Sequence, residues 1–175
     1  MAALPQTLIL SPLFCFSKKR LFEEVAQCAS TTLKTPVKVL IDSLNRRESQ
    51  GSTVFFEGAA LPHALIEHAP QGLGVLSILD QSITFNSIDS DEVRIDIAYT
   101  LFIAAHEDYD QVQDSLRRIT AVLSNQDLLN SLRLARNERT KIAKILGEVE
   151  ALLAENQDLS SAMENEEDTP FGVEN

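Results

Sequence analysis

The sequence predicts an α/β fold in which one central β-sheet is flanked by helices. Apolar residues recur at helical spacing before residue 50 and again after residue 110, whereas residues 53–103 form short β-rich runs. A chain of 175 residues, 44% of them hydrophobic, is long enough to bury one such core. The order of helices, strands and helices also fits an α+β arrangement, and the residue pattern alone leaves both open.

Two helices are predicted before the strands. Ser17 caps the first, whose apolar positions over residues 21–29 follow the three-four spacing of a helix face. Thr35 and Pro36 begin the second helix, as a cap followed by the proline that a first helical position accepts. This second helix is predicted to run to Arg47.

Strands are predicted in the middle of the chain, where β-branched and aromatic residues concentrate. The longest run begins with apolar residues that alternate with Arg94 and Asp96, and it then becomes continuously apolar. That change is typical of a strand that becomes buried on both faces. The predicted strands span residues 53–56, 59–61, 73–79, 83–85 and 93–103.

The C-terminal third returns to helical spacing. It predicts a helix over residues 112–123, a short helix capped by Asn125 and a last helix over residues 142–153. Residues 155–175 carry seven acidic side chains and no lysine or arginine. We therefore predict one domain over residues 1–154, followed by a disordered acidic tail over residues 155–175.

The charge of the chain argues against two classes of partner. A net charge of −11 and a pI near 4.6 disfavour nucleic acid, because no basic stripe is available to neutralise phosphates. The same excess of negative charge disfavours a purely electrostatic attraction to anionic membranes. The tail supplies −7 of this charge, which leaves −4 for the remaining 19 acidic and 15 basic residues, an ordinary value for a soluble domain.

The N-terminal apolar run over residues 8–16 is too short to span a bilayer and is interrupted by Ser11-Pro12. The basic residues 18–20 follow this run, whereas a secretory signal carries its positive charges before it. Two cysteines, Cys15 and Cys28, do not make a disulfide framework. We therefore expect a cytoplasmic protein without membrane insertion, whose two thiols are reduced and buried.

The greatest concentration of reactive groups lies between Arg47 and His63. A glycine and two hydroxyl residues form a turn at 51–53, and Pro62 directly precedes the histidine. A neutral imidazole is a good nucleophile near pH 7, and the proline restricts the direction in which the ring leaves the backbone. These residues predict a functional site centred on His63.

The same residues resemble the IIA domains of the fructose/mannitol and nitrogen-related phosphotransferase systems. The resemblance covers roughly residues 7–153, and without a membrane-embedded segment after it the chain is most similar to the free-standing nitrogen-related type. The matching motifs are Ser17-Lys18-Lys19-Arg20 at a helix start, Arg47-Glu48-x-x-Gly51-Ser52-Thr53, Ala60-Leu61-Pro62-His63, Ser82-Ile83-Thr84-Phe85-Asn86 and the Ile88-Asp89…Val93 segment.

The resemblance implies a single α/β domain with a central mixed sheet, and it implies a phosphocarrier. By position, His63 is the residue that accepts a phosphoryl group from a small histidine-containing phosphocarrier protein (HPr-like). Arg47, Ser52 and Thr53 match supporting positions around it. A regulated protein partner, which the sequence does not identify, would respond to the phosphorylation state. No cofactor and no metal is implied, because phosphoryl transfer to a neutral imidazole needs alignment and donors for the phosphoryl oxygens.

Three differences from the family pattern leave a second interpretation open. The glycine-rich stretch before the histidine is replaced by residues 54–58, which add bulk and place the charge of Glu57 near the predicted site. A second histidine, which the family often has at the start of the helix after the long strand, is replaced by residues 110–112, where Gln111 offers one hydrogen bond. His106 lies too early to replace it and is expected at the surface, and the N-terminal segment is shorter than usual.

These differences motivate an alternative function, a non-catalytic protein-binding module that keeps the scaffold without efficient phosphotransfer. Arg47 also fits a charge favoured at a helix C-terminus, and the two hydroxyl residues also fit a simple turn. A hydrolase with a histidine general base lacks an obvious nucleophile or metal. The carboxylates Asp89, Asp91 and Glu92 have no histidine or cysteine beside them, so no metal site is predicted.

Overall fold

Two long strands, β5 (Leu73–Asn86) and β6 (Glu92–Ala104), pair antiparallel at the centre of the sheet. They belong to a computed structural model that describes residues 4–86 and 92–166. The two predicted strands at 73–79 and 83–85 are one strand, β5, with an irregularity in its pairing between Ile78 and Ile83. From Ile97 onward β6 is buried at every residue, because helices cover both faces of the sheet there.

Four shorter strands complete the sheet. β1 (Thr7–Leu13) lies parallel to β5, and β2 (Val54–Phe56) pairs antiparallel with β3 (Gly58–Ala60). β3 and β4 (His63–Ile66) both lie parallel to β6, one after the other along the same edge of that strand. The sheet order is β1-β5-β6-β3-β2, with β4 also on β6, so the mixed sheet implied by the sequence resemblance is confirmed.

Neither β1 nor β4 was predicted. All seven residues of β1 are partly buried, so the strand lacks the alternation of buried and exposed residues by which a strand is found in a sequence. β4 has four residues and begins directly after a proline, so it is too short to give a pattern of its own.

Helices form a layer on each side of the sheet, and each layer encloses its own apolar cluster. The caps predicted from the sequence at Ser17 and Asn125 are both confirmed, since each side chain accepts backbone N–H groups of the first helical turn. One layer contains α1 (Lys18–Leu33) and α2 (Val37–Ser49), and the other contains α3 (Tyr109–Leu123), α4 (Gln126–Leu134) and α5 (Arg139–Glu166).

Two helix ends differ from the prediction. Thr35 is not the cap of α2: its hydroxyl donates to the carbonyl of Leu33 at 3.0 Å, and Pro36 occupies the cap position without a side-chain bond. α5 continues to Glu166, so residues 155–166 are helical where disorder was predicted, and the predicted boundary at residue 154 lies inside this helix. The sequence there is compatible with a helix because it contains no glycine or proline. Residues 167–175, like Asp89 and Asp91, lie outside the described residues.

Gly58 allows α4 to be clamped to the sheet beside β3. Its φ of 80° is in the left-handed region, and an added Cβ would lie 2.6 Å from Nη2 of Arg133. That guanidinium donates two hydrogen bonds to the carboxylate of Asp96 on β6, at 2.7 and 2.8 Å. A side chain at this position would therefore disturb the clamp and the strand that leads to His63.

Candidate functional site

The backbone places His63 at a break in the edge of the sheet. β3 follows β6 as far as Ala60, Leu61 turns back so that its N–H donates to the carbonyl of Thr53, and β4 then resumes on β6. Pro62 has no N–H, so the ladder is interrupted on the donor side, while its carbonyl still accepts from Leu101 N–H at 2.8 Å. His63 is the first residue of β4 and is partly buried.

Two hydrogen bonds fix the ring of His63 and its tautomer. Nε of Arg47 lies 3.1 Å from Nε2 of the imidazole, and Nδ1 lies 2.9 Å from the carbonyl oxygen of Leu61. A guanidinium only donates, so Nε2 is the acceptor and carries the lone pair. The proton of the neutral ring is therefore on Nδ1, where it is donated to Leu61.

The surroundings of His63 favour the neutral imidazole. Burial lowers the pKa of His63 below its ordinary value, and the positive charge of Arg47 lowers it further. The carbonyl of Leu61 and the carboxylate of Glu48 act in the opposite direction, but the net pKa shift is downward. Near pH 7 the ring is therefore neutral, and its one in-plane lone pair, on Nε2, accepts the hydrogen bond from Arg47.

Arg47 is held at both ends of its guanidinium. It lies in the last turn of α2, and Nη1 donates to the carbonyl oxygen of Gly51 at 2.9 Å while Nε reaches His63. The helix end, the turn after it and the imidazole are thus joined through one side chain. Of the three predicted supporting residues, Arg47 is hydrogen-bonded to His63, whereas Ser52 and Thr53 bond within the turn.

Glu48 is a site residue that sequence reasoning did not assign. It is buried, and its two oxygens accept from the backbone N–H of Thr53 at 3.3 Å and from the hydroxyl of Thr53 at 2.7 Å. Lys18 lies 3.9 Å from the same carboxylate. A signal was available in the sequence, because Glu48 continues the buried helical positions of Leu40 and Leu44 at intervals of four.

The two predicted hydroxyl residues make their bonds within the turn. Thr53 is buried and its hydroxyl is donated to Glu48, and Ser52 is exposed and accepts from the N–H of Val54 at 3.3 Å. Neither lines the cavity in front of His63. Their hydrogen bonds therefore lie within the turn whose Gly51 carbonyl accepts from Arg47.

The imidazole opens into a cavity of about 500 Å³. Its lining combines apolar side chains with two arginines, one carboxylate and several neutral polar groups. Leu65 and Tyr109 at this cavity are 58% and 69% exposed, so apolar surface surrounds the histidine. The lining residues are Ser43, Arg46, Arg47, Gln50, His63, Ala64, Leu65, Ile103, Ala105, Glu107, Tyr109, Val112, Gln113 and Leu116.

The N-terminal turns of α3 form the far wall of this cavity. Tyr109 and Gln113 face it at helical spacing, whereas Gln111 is exposed and does not line it. His106 is exposed, as predicted, and His68 is exposed as well. Glu57 is exposed in the turn between β2 and β3 and does not line the cavity, so the acidic side chain in the wall is Glu107 instead.

The remaining reactive groups of the described residues offer no second site of this kind. No group of three His, Cys, Asp or Glu side chains within residues 4–86 and 92–166 is placed to hold a metal ion. Cys15 and Cys28 are both free thiols; Cys15 is buried as predicted, whereas Cys28 is only partly buried. Desolvation raises the pKa of each, which keeps them protonated. In the part of the chain that the structure describes, no helix has the length and apolar content needed to cross a bilayer.

Comparison of the sequence with known proteins gives a consistent result. A family model described as "Phosphoenolpyruvate-dependent sugar phosphotransferase system, EIIA 2" matches residues 3–149. The "Nitrogen regulatory protein" of Escherichia coli (strain K12) is 30% identical over 132 residues, which cover 73% of this chain and 77% of the relative. The protein of the same name from Pseudomonas aeruginosa is 30% identical over 122 residues, covering 68% and 76%.

Solved structures share the fold. The crystal structure of the nitrogen regulatory protein IIA-Ntr from Neisseria meningitidis aligns with a TM-score of 0.71 at 23% identity, covering 82% of this chain and 96% of that one. The mannitol IIA protein of Escherichia coli aligns with a TM-score of 0.61 at 13% identity, covering 79% and 94%. At these identities the likeness shows the arrangement of strands and helices, and the chemistry must be argued from the site itself.

Proposed function

Because the chain belongs to the EIIA 2 family of the phosphoenolpyruvate-dependent sugar phosphotransferase system, we propose that it is a regulatory phosphocarrier of the nitrogen-related type. Its phosphoryl acceptor is Nε2 of His63. The observation that carries this proposal is the hydrogen-bonding of the ring, which leaves the lone pair on Nε2 at an open cavity. The donor is a small histidine phosphocarrier protein (HPr-like) that docks over this cavity, and the compartment is the cytoplasm.

The proposed transfer is a direct exchange between two imidazoles. Nε–H of Arg47 first releases the lone pair of Nε2 and turns to the incoming phosphoryl oxygens. Nε2 of His63 then attacks the phosphorus of the donor's phosphohistidine, and a new P–N bond forms as the donor's P–N bond breaks. The proton on Nδ1 stays in its hydrogen bond to the Leu61 carbonyl, which stabilises the positive charge that the ring acquires. No metal is needed, because the attacking group is neutral and correctly oriented before the donor arrives.

Arg47 supports this step because its guanidinium lies beside the nitrogen that would carry the phosphoryl group. Its Nε is already within hydrogen-bond distance of the attacking nitrogen, so its guanidinium N–H groups are near the incoming oxygens. The bond from Nη1 to Gly51 limits its rotation. Thr53 and Ser52 contribute indirectly, by fixing the turn that contains Gly51.

The output of the protein is proposed to be regulatory. Phosphorylation places roughly two negative charges at one surface position, which changes which partners can dock there. The exposed apolar side chains of Leu65 and Tyr109 beside the cavity supply a surface that a partner protein can cover. The identity of the regulated partner is not specified by these residues.

The alternative function, a binding module without phosphotransfer, was motivated by the unusual residues 54–57 and the missing second histidine. Glu57 is exposed and does not line the cavity, so it does not block a phosphoryl group there. The bulky side chains of β2 are partly buried in the sheet edge. These placements favour the phosphocarrier, and the binding module remains the competing outcome of the test below.

The test is phosphorylation of the full chain with phosphoenolpyruvate and the upstream phosphotransferase proteins. We expect the mass of one phosphoryl group to be added, and the label to be acid-labile. His63→Ala should abolish labelling without unfolding the protein, whereas His68→Ala, a change at an exposed histidine, should leave it unaffected. Labelling that survives His63→Ala would refute the assignment, and absence of labelling in the folded wild type would favour the binding module.

A further inference from the structure

We propose that the free edge of β4 receives an extended segment of a partner protein, which joins the sheet as a further strand with alternating apolar and acidic side chains. The strand addition itself does not depend on the proposed function, whereas its control by phosphorylation of His63 rests on it. Three features support the proposal: the unpaired backbone of β4, the position of the cavity between the two helix layers, and the two arginines on one side of the cavity.

The backbone of β4 is hydrogen-bonded on one side only. Leu101 N–H donates to the carbonyl of Pro62 and Ala105 N–H to that of Ile66, so alternate residues of this stretch face β6. The residues between them direct their N–H and carbonyl groups to the opposite edge of the strand. Leu65 is such a residue, and no hydrogen bond from another part of the described chain reaches its backbone. The edge at Leu65 can therefore accept a strand.

The edge strand at the far side of the sheet, β1, is protected against such pairing. It contains Pro12, which has no N–H to donate, and Arg139 donates to the carbonyl of Ile9 at 2.9 Å. β4 has no such protection at Leu65, whose apolar side chain is 58% exposed. An unprotected apolar edge is the feature that strand-adding partners use, because main-chain hydrogen bonds supply affinity there.

The cavity beside His63 follows this edge. His63, Ala64 and Leu65 line it in succession, although neighbouring side chains of a strand point to opposite faces. Side chains of α2 line it from one helix layer and those of α3 from the other. One strand residue occupies about 160 Å³, from a rise of about 3.3 Å and spacings of about 4.8 and 10 Å. The cavity of about 500 Å³ therefore holds about three residues of an added strand.

The register of β4 determines which side chains of the segment face which layer. His63 and Leu65 face the α3 layer, since their partners Leu101 and Ile103 belong to its apolar cluster. Ala64 faces the other way and belongs to the apolar cluster of the α1–α2 layer. A segment residue beside Leu65 therefore directs its side chain toward α3, and the residue next to it, beside Ala64, directs its side chain toward α2.

The α3 side of the cavity is apolar. Ile103, Val112 and Leu116 line it there, together with the exposed ring of Tyr109. A valine, isoleucine or leucine beside Leu65 buries its side chain against these groups, and β-branched residues also favour the extended backbone that pairing requires.

The α2 side of the cavity is basic. Arg46 and Arg47 both line it, and neither forms an ion pair with a carboxylate among the described residues. In a chain of net charge −11, two adjacent arginines without a counter-charge attract an acidic side chain. The segment that fits both sides is therefore apolar–acidic–apolar, with the acidic residue beside Ala64.

Phosphorylation of His63 opposes this strand addition. A phosphoryl group on Nε2 brings roughly two negative charges to Arg47, where they repel the acidic residue of the segment and occupy the same N–H groups. The unphosphorylated protein is thus the form that binds the segment. This gives the regulated partner of the proposed function a defined chemistry.

Titration of the unphosphorylated full chain with a peptide, followed by NMR of the backbone amides, tests strand addition without any phosphotransfer. The probe is acetyl-Thr-Val-Glu-Val-Thr-amide, which has the required alternation. We expect a Kd of about 1 mM, as suits about three paired residues. The amide proton of Leu65 should shift downfield as it enters a hydrogen bond.

Two methylated forms of the probe are matched controls for each other. A strand directs alternate N–H groups to one edge, so only one set of amides can donate to β4. Antiparallel addition predicts that N-methylation of the two valines weakens binding at least about fivefold and that N-methylation of the glutamate has little effect, whereas parallel addition predicts the reverse. Equal affinities of the two methylated peptides would refute strand addition.

Variants of the protein test the same contacts from the other side. Leu65→Pro removes the outward N–H without removing a hydrogen bond to β6, and it should weaken binding at least about fivefold relative to Leu65→Val, which keeps that N–H. The amide signals of β6 report whether the fold is kept. Arg46→Gln should weaken binding about threefold, and replacing glutamate by glutamine in the probe should have little further effect in this variant.

The outcomes separate this proposal from the proposed function. Absence of binding at about 5 mM probe would refute strand addition even if His63 is phosphorylated normally. Binding with the expected methylation pattern supports strand addition even if the protein accepts no phosphoryl group. If the phosphorylated protein binds the probe as tightly as the free protein, the control by phosphorylation is wrong, because the acidic residue then does not meet the phosphoryl group.

Discussion

The two walls of the His63 cavity are built differently. On the α2 side, Thr53 donates its backbone N–H and its hydroxyl to Glu48. Arg47 donates to the Gly51 carbonyl and to the imidazole of His63. On the α3 side, Tyr109 is exposed and Oε2 of the neighbouring Glu107 is buried without a hydrogen-bond partner among the described residues. The polar groups of one wall are hydrogen-bonded within the fold, whereas Tyr109 and Gln113 in the other wall are exposed and have no hydrogen bond to the rest of the described residues.

This difference matches two tasks that the proposed phosphocarrier function would require. The attacking nitrogen must be held in one orientation, which the bonded wall achieves before any partner arrives. A surface that receives more than one partner is better left adaptable, since groups without intramolecular bonds can reorient at little cost. We therefore expect substitutions in the bonded wall to affect chemistry and stability, and substitutions in the free wall to affect docking.

The largest effect is expected for Arg47→Ala. Removing one positioned donor from a developing negative charge typically lowers the rate by about 10²- to 10³-fold, and we expect a loss of this size in the rate of phosphoryl acceptance. The measurement is single-turnover transfer from the phosphorylated donor protein. Arg46→Ala is the matched control, because Arg46 lines the same cavity without touching the imidazole, and it should lose less than about threefold. Equal losses in both variants would show that only net charge matters.

The next effect concerns stability. Glu48→Ala leaves the N–H and hydroxyl of Thr53 without their acceptor and the ammonium of Lys18 without its counter-charge, and we expect the free energy of unfolding to fall by about 2–3 kcal/mol. Urea unfolding monitored by circular dichroism measures this. Glu107→Gln in the opposite wall should change stability by less than about 0.5 kcal/mol, because no hydrogen bond of its Oε2 is lost.

Glu48→Gln refines this comparison. It keeps an acceptor for Thr53 but removes the charge that raises the pKa of His63, so the histidine pKa should fall further below its wild-type value. An NMR titration of the His63 ring resonances measures this pKa. A histidine pKa that rises in this variant would contradict the assigned effect of the Glu48 carboxylate.

A moderate effect is expected on the pH dependence of stability. The pKa of His63 is lowered in the folded protein, so between that value and the ordinary value of 6.5 the unfolded chain binds a proton that the folded chain does not. The contribution of His63 is therefore fully present above pH 6.5 and is lost as the pH falls through the folded-state pKa. His63→Gln should flatten this part of the stability profile, which urea unfolding across that pH range measures. An unchanged profile would mean that the ring is not neutral in the fold.

Much of this site could be predicted from the sequence because its parts are close along the chain. Arg47, the turn at 51–53 and His63 lie within 17 residues, and a proline and a glycine fix the backbone between them. The caps at Ser17 and Asn125 were likewise found because a cap is a local interaction between a side chain and the next few N–H groups.

What the sequence did not predict depends on contacts between distant segments. β1 is recognised as a strand only beside β5, and the far wall of the cavity comes from α3, more than forty residues after His63. Glu48 was overlooked because a charged residue in an amphipathic helix is expected at the surface, whereas Thr53 and Lys18 bury it here. The end of α5 was predicted from its apolar spacing, which stops at Leu153. The helix continues to Glu166 because the residues after Leu153 are compatible with a helix even where that spacing is lost.

The smallest effects are expected in the free wall, and they should be of a different kind. Tyr109→Ala and Gln113→Ala remove side chains that line the cavity but have no hydrogen bond to the rest of the described residues, so stability should change by less than about 0.5 kcal/mol. We expect the rate of transfer at saturating donor to be unchanged and the donor KM to rise about threefold, since docking surface is lost and the reacting atoms are untouched. Steady-state transfer at varied donor concentration separates the two constants. A lower saturating rate with an unchanged KM would place these side chains in the chemical step, and the division of the cavity into a bonded catalytic wall and a free docking wall would then be wrong.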